Sequence, residues 1–158
     1  MAIRIVGLDK FAKKINRLAS EVEPVIVAGV NRATIKVEGD AKMLCPTNRY
    51  QAGGALRQSI HPAVHIQKDA VVGKVSTIME YAMFVEFGTG IRGQITNRNK
   101  KLNLAYRQTP WVYTPDDGES FFTTIGNVAQ PFLYPALHTN KQTIEKIIAQ
   151  SLHTLTRK

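Results

Sequence analysis

Apolar positions along this 158-residue chain follow two periodicities, and the chain changes from one to the other several times. Leu8, Phe11, Ile15 and Leu18 recur at helical spacing, so a first helix runs from about Asp9. Ser20-Glu21-Val22-Glu23 has the form of a capping box, and Pro24 follows it, which predicts a new start or a kink there. Beyond it, Val22, Ile26, Val30, Ala33, Val37, Ala41 and Leu44 keep 3–4 spacing for about six turns, the strongest helical stripe in the chain. Cys45-Pro46 ends that stripe, because the residue before a proline avoids the α region.

From Ser59 the period falls to two. Ser59 to Gln67 reads as a strand with Ile60, Val64 and Ile66 on one face, and Pro62 assigns it to an edge or a bulge. Lys68-Asp69 supplies a turn and Ala70 to Thr77 a second β-rich run, together a hairpin. Met79 to Phe87 reads as a short helix closed by Gly88, where glycine permits the left-handed conformation that terminates helices. A second hairpin joins Trp111-Val112-Tyr113 to Phe121–Ile125 through Pro115-Asp116-Asp117-Gly118. Gln130 to Leu137, with two prolines, reads as irregular. Thr139 or Asn140 caps a last helix carrying Leu137, Ile144, Ile148, Leu152 and Leu155. The order predicts an α+β fold: an antiparallel β-sheet of hairpins with long N-terminal helices and a C-terminal helix packed on one face, in one domain over residues 1–158.

Composition narrows the function classes. No apolar run reaches the roughly 20 residues of a membrane span, and no N-terminal apolar stretch suggests a signal peptide. The single cysteine, Cys45, has no partner for an internal disulfide, which is compatible with a reducing cytosol. The formal net charge of +9 favours an acidic partner: nucleic acid, an anionic surface or an acidic protein. The charge is uneven. Between Ile91 and Thr109 lie Arg92, Arg98, Lys100, Lys101 and Arg107, with no acid among them. This stretch reads as a flexible, solvated loop at 91–109, with contact to DNA phosphates or to an acidic protein surface as the functional alternatives. Only Tyr106 and Trp111 lie near it, thin aromatic interleaving for a single-strand binder.

Candidate chemistry is sparse, and no cofactor is expected. His61 and His65 fall in a strand, where four residues span about 13 Å, too far to share a metal. Cys45, at the end of an apolar stripe, reads as a small buried residue. Asp116, Asp117 and Glu119 sit in a turn, without the converging carboxylates and neighbouring lysine of a metal-dependent nuclease. Gly88-Thr89-Gly90 lacks the lysine and spacing of a phosphate-binding loop. Glu86 is the distinctive acid: between Val85 and Phe87, just ahead of that glycine turn, it suits a carboxylate accepting turn amides or pairing with an arginine across a subunit interface. The plain alternative is an exposed acid on an amphipathic helix. Tyr81, Phe84, Phe87, Phe132 and Tyr134 read as core, with a share available to an interface.

Four features in order resemble a known family. Gly7-Leu8-Asp9 precedes the first helix; Pro46 is followed by Gly54-Ala55-Leu56-Arg57-Gln58-Ser59-Ile60; then come Tyr81-Ala82 through Glu86-Phe87-Gly88-Thr89; and last Gln130-Pro131-Phe132-Leu133 with Pro135-Ala136-Leu137. The set resembles the head–tail joining or tail-completion (neck) proteins of tailed bacteriophages, minor structural components of the virion. About four extra residues separate Pro46 from Gly54, Asn48 stands where the family has glycine, and Ile91–Val128 has no counterpart. The resemblance implies a non-enzymatic assembly protein of a phage or prophage, in the virion at the head–tail interface and in the host cytoplasm during assembly. It implies a ring-like homo-oligomer that meets head-completion or connector proteins and tail-terminator or tail-tube proteins, with possible contact to packaged DNA and none to membrane. Tyr81, Phe84, Glu86, Phe87, Gly88, Thr89, Gln130, Pro131, Phe132 and Pro135 are then the candidate interface or structural residues. Arg92, Arg98, Lys100, Lys101 and Arg107 are candidates for an acidic partner or DNA. The other class of function is a basic nucleic-acid-binding module.

Overall fold

The computed structural model describes residues 8–47, 54–68, 70–97, 99, 102–114 and 120–156, with the side chains of 8–19 and 156 left aside. The fold is α+β: a long N-terminal helix, two small antiparallel hairpin sheets and a C-terminal helix. The strands pair as two separate two-stranded sheets, β1 (His61–Gln67) with β2 (Ala70–Ser76) and β3 (Trp111–Tyr113) with β4 (Phe122–Thr124), rather than as one continuous sheet.

Helix α1 runs without interruption from Leu8 to Leu44, 37 residues, straight through Pro24. The new start that Pro24 allowed does not occur. A proline inside a helix frees the carbonyl four residues earlier, and here both Pro24 and Ser20 lie on the exposed side, within reach of water. The apolar stripe meanwhile continues past them. Its buried ladder is Ala33, Val37, Ala41 and Cys45, each four residues on from the last. Leu44, expected to close the stripe, is half exposed, and Cys45 takes the inward position one residue beyond the helix.

Contacts divide the chain into two compact units, with boundaries inside α1 and inside both strands of the first hairpin. The first comprises Met1–Lys36, Pro62–Lys74 and Asn140–Lys158. Its elements meet at small residues. A Cβ on Gly29 of α1 would come within 2.8 Å of Ser151 Oγ on α6 (Lys141–Thr156), so the helices approach where neither carries bulk. Ser151 is 2% exposed, accepts from Arg32 Nη2 and donates to the Ile147 carbonyl at 2.8 Å. The inward stripe of α6 is therefore Ile144, Ile147, Ile148, Ser151 and Leu155, while Leu152 is exposed and Leu137 belongs to the preceding helix. Gly73 of β2 lies against Thr34, whose hydroxyl turns back onto the Val30 carbonyl at 2.7 Å.

The second unit comprises Val37–His61 and Val75–Thr139. Its buried apolar residues are Val37, Ala41, Cys45, Leu56, Ile60, Ala82, Phe132 and Ala136. Two short helices, α4 and α5, stand where the sequence alone suggests a loop or an irregular segment, and a third, α2, stands where it assigns no element. Helix α2 (Ala55–Gln58) buries Leu56 and leads into Ser59, whose Oγ donates to the Leu56 carbonyl at 2.7 Å and lies 2.6 Å from Thr77 Oγ1. Helix α4 (Gly90–Thr96) occupies the start of the basic stretch. Helix α5 (Leu133–Thr139) holds Pro135 within its first turn, where a missing N–H costs nothing. Helix α3 (Ala82–Phe87) forms as expected and ends at Gly88, φ 71°. The β3–β4 register pairs Trp111 with Thr124, Val112 with Thr123 and Tyr113 with Phe122.

Candidate functional site

The second unit is organised around one carboxylate. Ala82 and Glu86 are the inward positions of α3, one helical turn apart, and both are buried; Glu86 is 5% exposed. Glu86 Oε2 accepts the backbone N–H of Phe132 at 2.8 Å and of Leu133 at 2.9 Å, and Oε1 accepts that of Tyr134 at 2.8 Å. These groups belong to the start of α5. The first four N–H positions of a helix have no partner inside it. Here three of them are held by Glu86 and the fourth residue, Pro135, has no N–H to satisfy. A negative charge at this end also opposes the helix dipole favourably. Three of the carboxylate's roughly four acceptor positions are thus used inside the chain, by amides at the turn into α5.

A chain segment leading to α5 is fixed to α3 and α4 by a series of further bonds. Gln130 N–H donates to the Val85 carbonyl at 2.8 Å, and Thr89 N–H to the Asn127 carbonyl at 3.0 Å. Thr89 and Thr96, one before α4 and one at its end, turn their hydroxyls outward: Thr89 Oγ1 accepts from Asn127 N–H at 2.9 Å and Thr96 Oγ1 from Ala129 N–H at 2.8 Å. Backbones therefore pass closely here. A Cβ on Gly88, which has positive φ, would lie 2.6 Å from both the Asn127 carbonyl oxygen and the Gly93 Cα. Gly126, φ 103°, is equally closed off, since any Cβ would overlap the Thr89 carbonyl. Tyr106 completes the clasp: its hydroxyl donates to the Phe87 carbonyl at 3.0 Å and receives Asn97 Nδ2 at 3.0 Å.

The structure therefore brings together most of the two aromatic motifs. Glu86, Gly88 and Phe132 are buried, and Phe87, Thr89, Pro131 and Pro135 are half-buried. Gln130 takes part through its backbone. Tyr81 and Phe84 do not join the core. They are 45% and 55% exposed, beside Met83 at 56%, so α3 presents an apolar outer face. Of the basic candidates, Arg92 is exposed on α4, and Arg107 is exposed with its guanidinium 5.2 Å above the Trp111 ring. Arg98, Lys100 and Lys101 lie outside the described residues, as do Asp116, Asp117 and Glu119. Thr96, Asn97 and Gly126 were not singled out by sequence reasoning, and Tyr106 was read only as an aromatic near the basic stretch. Their one available signal was Gly126, isolated after a β-rich run, which marks a close backbone approach.

The Cys45 thiol is pushed up in pKa by burial, partly offset by Arg57 and reinforced by Glu86, and its Sγ faces the Pro46 carbonyl at 3.8 Å. A thiol held in its protonated form is a poor nucleophile. Among the described residues no group of three or more potential metal ligands converges, and no helix is long and apolar enough to cross a membrane.

No curated protein and no solved structure matches the chain. The family model for bacteriophage HK97-gp10-like tail components matches residues 9–88, which takes in α1, the first hairpin and α3 and ends on the glycine that follows Glu86 and Phe87. The chain belongs to that family of phage tail components.

Proposed function

We propose that this protein is a non-enzymatic virion assembly component that joins or completes the head–tail interface, acting as a ring-like homo-oligomer. Its neighbours on this reading are head-completion or connector proteins on one side and tail-terminator or tail-tube proteins on the other. The observation that carries the reading is the division of labour within the matched motif. Glu86 is spent on internal amides, whereas Met83 and Phe84 on the same short helix, and Tyr81 at its N-cap, are exposed. Apolar side chains grouped on one outer face mark a surface that is covered in an assembly. Membership of a family of phage tail components supports a virion as that assembly. Arg92 and Arg107, exposed in a stretch without acids, suit an acidic protein neighbour or the packaged DNA.

Light scattering on the purified protein at moderate salt, alone, with short duplex DNA, and with DNA-filled heads or isolated tails, tests this. A defined oligomer, or association with either particle, is expected. A monomer that ignores both particles and binds duplex DNA with an affinity falling steeply in salt overturns the reading. The chain would then be a basic nucleic-acid-binding module, the class its net charge of +9 also allows.

A further inference from the structure

A recess beside the end of α1 takes no part in the clasp around Glu86. Its volume is about 370 Å³, and it is lined by Lys42, Thr47, Gly54, Arg57 and Gln58. Two elements of the second unit shape it. Lys42 stands in the last turn of α1, and Thr47 lies just past the Cys45-Pro46 stop. Gly54 precedes α2, and Arg57 and Gln58 are the last two residues of that helix. Gly54 has no side chain to fill the space beside Gln58, whose Nε2 would lie 3.6 Å from a Cβ there.

The chemistry of the recess is one-sided. Ammonium, hydroxyl, guanidinium and amide groups line it, all of which donate hydrogen bonds, and no carboxylate is among them. Lys42 Nζ spends one of its three N–H groups on Glu38 Oε1 at 2.6 Å, which leaves two. As a pair, Lys42 and Glu38 are neutral. Arg57 is exposed and, among the described residues, makes no hydrogen bond or ion pair. Among those residues the recess therefore carries one uncompensated positive charge, on the side chain with the most donors.

That sign and that number select a ligand. A guanidinium with its fork of N–H groups open matches a planar monoanion through two parallel bonds, and a carboxylate has that shape. A recess receives a side chain that projects from its partner. Duplex phosphates lie between sugars on a convex backbone and are met by groups that project from the protein. The surroundings point the same way. The last turn of α1 exposes Met43 at 70% and Leu44 at 49%, and a methionine side chain adapts to apolar partners of varied shape.

We infer that this recess receives an aspartate or glutamate side chain from a partner polypeptide whose acid has apolar neighbours. Arg57 holds the carboxylate, Lys42, Thr47 and Gln58 offer further donors, and Met43 and Leu44 meet the apolar flanks. The site goes beyond the head–tail reading and requires neither a ring nor DNA.

The test is a titration of the isotope-labelled full-length chain, followed by the amide resonances of Thr47, Gly54, Arg57 and Gln58. The probes are a blocked tripeptide with glutamate between two leucines, the same tripeptide with glutamine, and short duplex DNA. The glutamate peptide is expected to shift these four amides to saturation, and the glutamine peptide to bind about tenfold more weakly, the loss of one charge-assisted pair. Arg57→Gln should weaken binding of the glutamate peptide by a similar factor. Lys42→Ala should do the same, because it leaves Glu38 without its cation. Both side chains are at least partly exposed, so both variants should melt near the parent. No saturable shift with the glutamate peptide, or the same binding by Arg57→Gln, overturns the inference. Duplex DNA that shifts these amides through Arg57 more strongly than the peptide also overturns it, and assigns the recess to phosphate. None of these failures touches the proposed function, which is decided by association with heads, tails or further copies of the chain.

Discussion

In the unit that contains α6, helix meets helix where Gly29 faces Ser151 and hairpin meets helix where Gly73 faces Thr34. In the unit that contains α3, a buried carboxylate holds three amides of α5, two threonine hydroxyls hold Asn127 and Ala129, and glycines at 88, 90, 93 and 126 let backbones cross. The first arrangement uses regular elements whose small residues set the approach. The second uses short elements that hardly satisfy themselves and depend on side-chain-to-backbone bonds across long stretches of sequence. The difference extends to the surface. Among the described residues, the exposed large apolar side chains of the first unit are the scattered Ile35, Ile66, Val72 and Leu152, whereas the second exposes grouped aromatics on α3 and on the β3–β4 ribbon. Periodic packing leaves few apolar side chains over, while a fold held by polar clasps can direct its aromatics outward.

Breaking the clasp should have the largest effect. Glu86→Ala strands three N–H groups in a buried site, each unsatisfied group costing about 1–3 kcal/mol, so a loss of about 4 kcal/mol is expected in denaturant unfolding. Glu86→Gln keeps one acceptor oxygen and should lose about half as much. A parent-like midpoint for Glu86→Ala would remove the basis for contrasting the two units. Next is Gly126→Ala, which combines positive φ with overlap on the Thr89 carbonyl; about 2–4 kcal/mol is expected, read the same way. In the first unit, Gly29→Ala sets a helix-propensity gain of about 1 kcal/mol against a contact at 2.8 Å with Ser151 Oγ. The single variant should therefore change stability little. Adding Ser151→Ala should make Gly29→Ala more favourable than it is alone, and additivity of the two would show that the helices do not meet there. Smallest is Lys42→Ala, which removes an i,i+4 pair with Glu38 at 2.6 Å; the pair is partly exposed and worth about 0.3–0.5 kcal/mol.

What the sequence made legible follows the same division. The stripe from Val22 to Ala41, the last helix and both hairpins come from periodicities of 3.6 and 2 that survive in any context. Glu86 was visible as an acid out of place among apolar neighbours, but its partners were not, because amides at 132–134 carry no sequence signature. Helix α2 was not foreseen, and α4 and α5 were read as loop or irregular chain, for a related reason. Each is seven residues or fewer, too short for a periodic pattern, and α5 opens beside two prolines. At Pro24 the helix continues where a new start was one of the two expectations. Proline is a breaker by propensity, yet a long stripe with an exposed proline overrides it. Leu152 gave way to Ser151 because close approach to Gly29 favours the smaller side chain.

The separation of Glu86 from its amides also sets an order of events during synthesis. The nearest partner lies 46 residues further on, so the acid leaves the ribosome well before Phe132, Leu133 and Tyr134 exist to receive it. Until then α3 has a hydrated charge on the face that will later be its interior, and the second unit cannot close. Ribosome-bound chains that stop short of Gln130 should remain open at α3. Those long enough to present the start of α5 should acquire protection there in one step, which links the completion of this unit to the arrival of a single turn of helix.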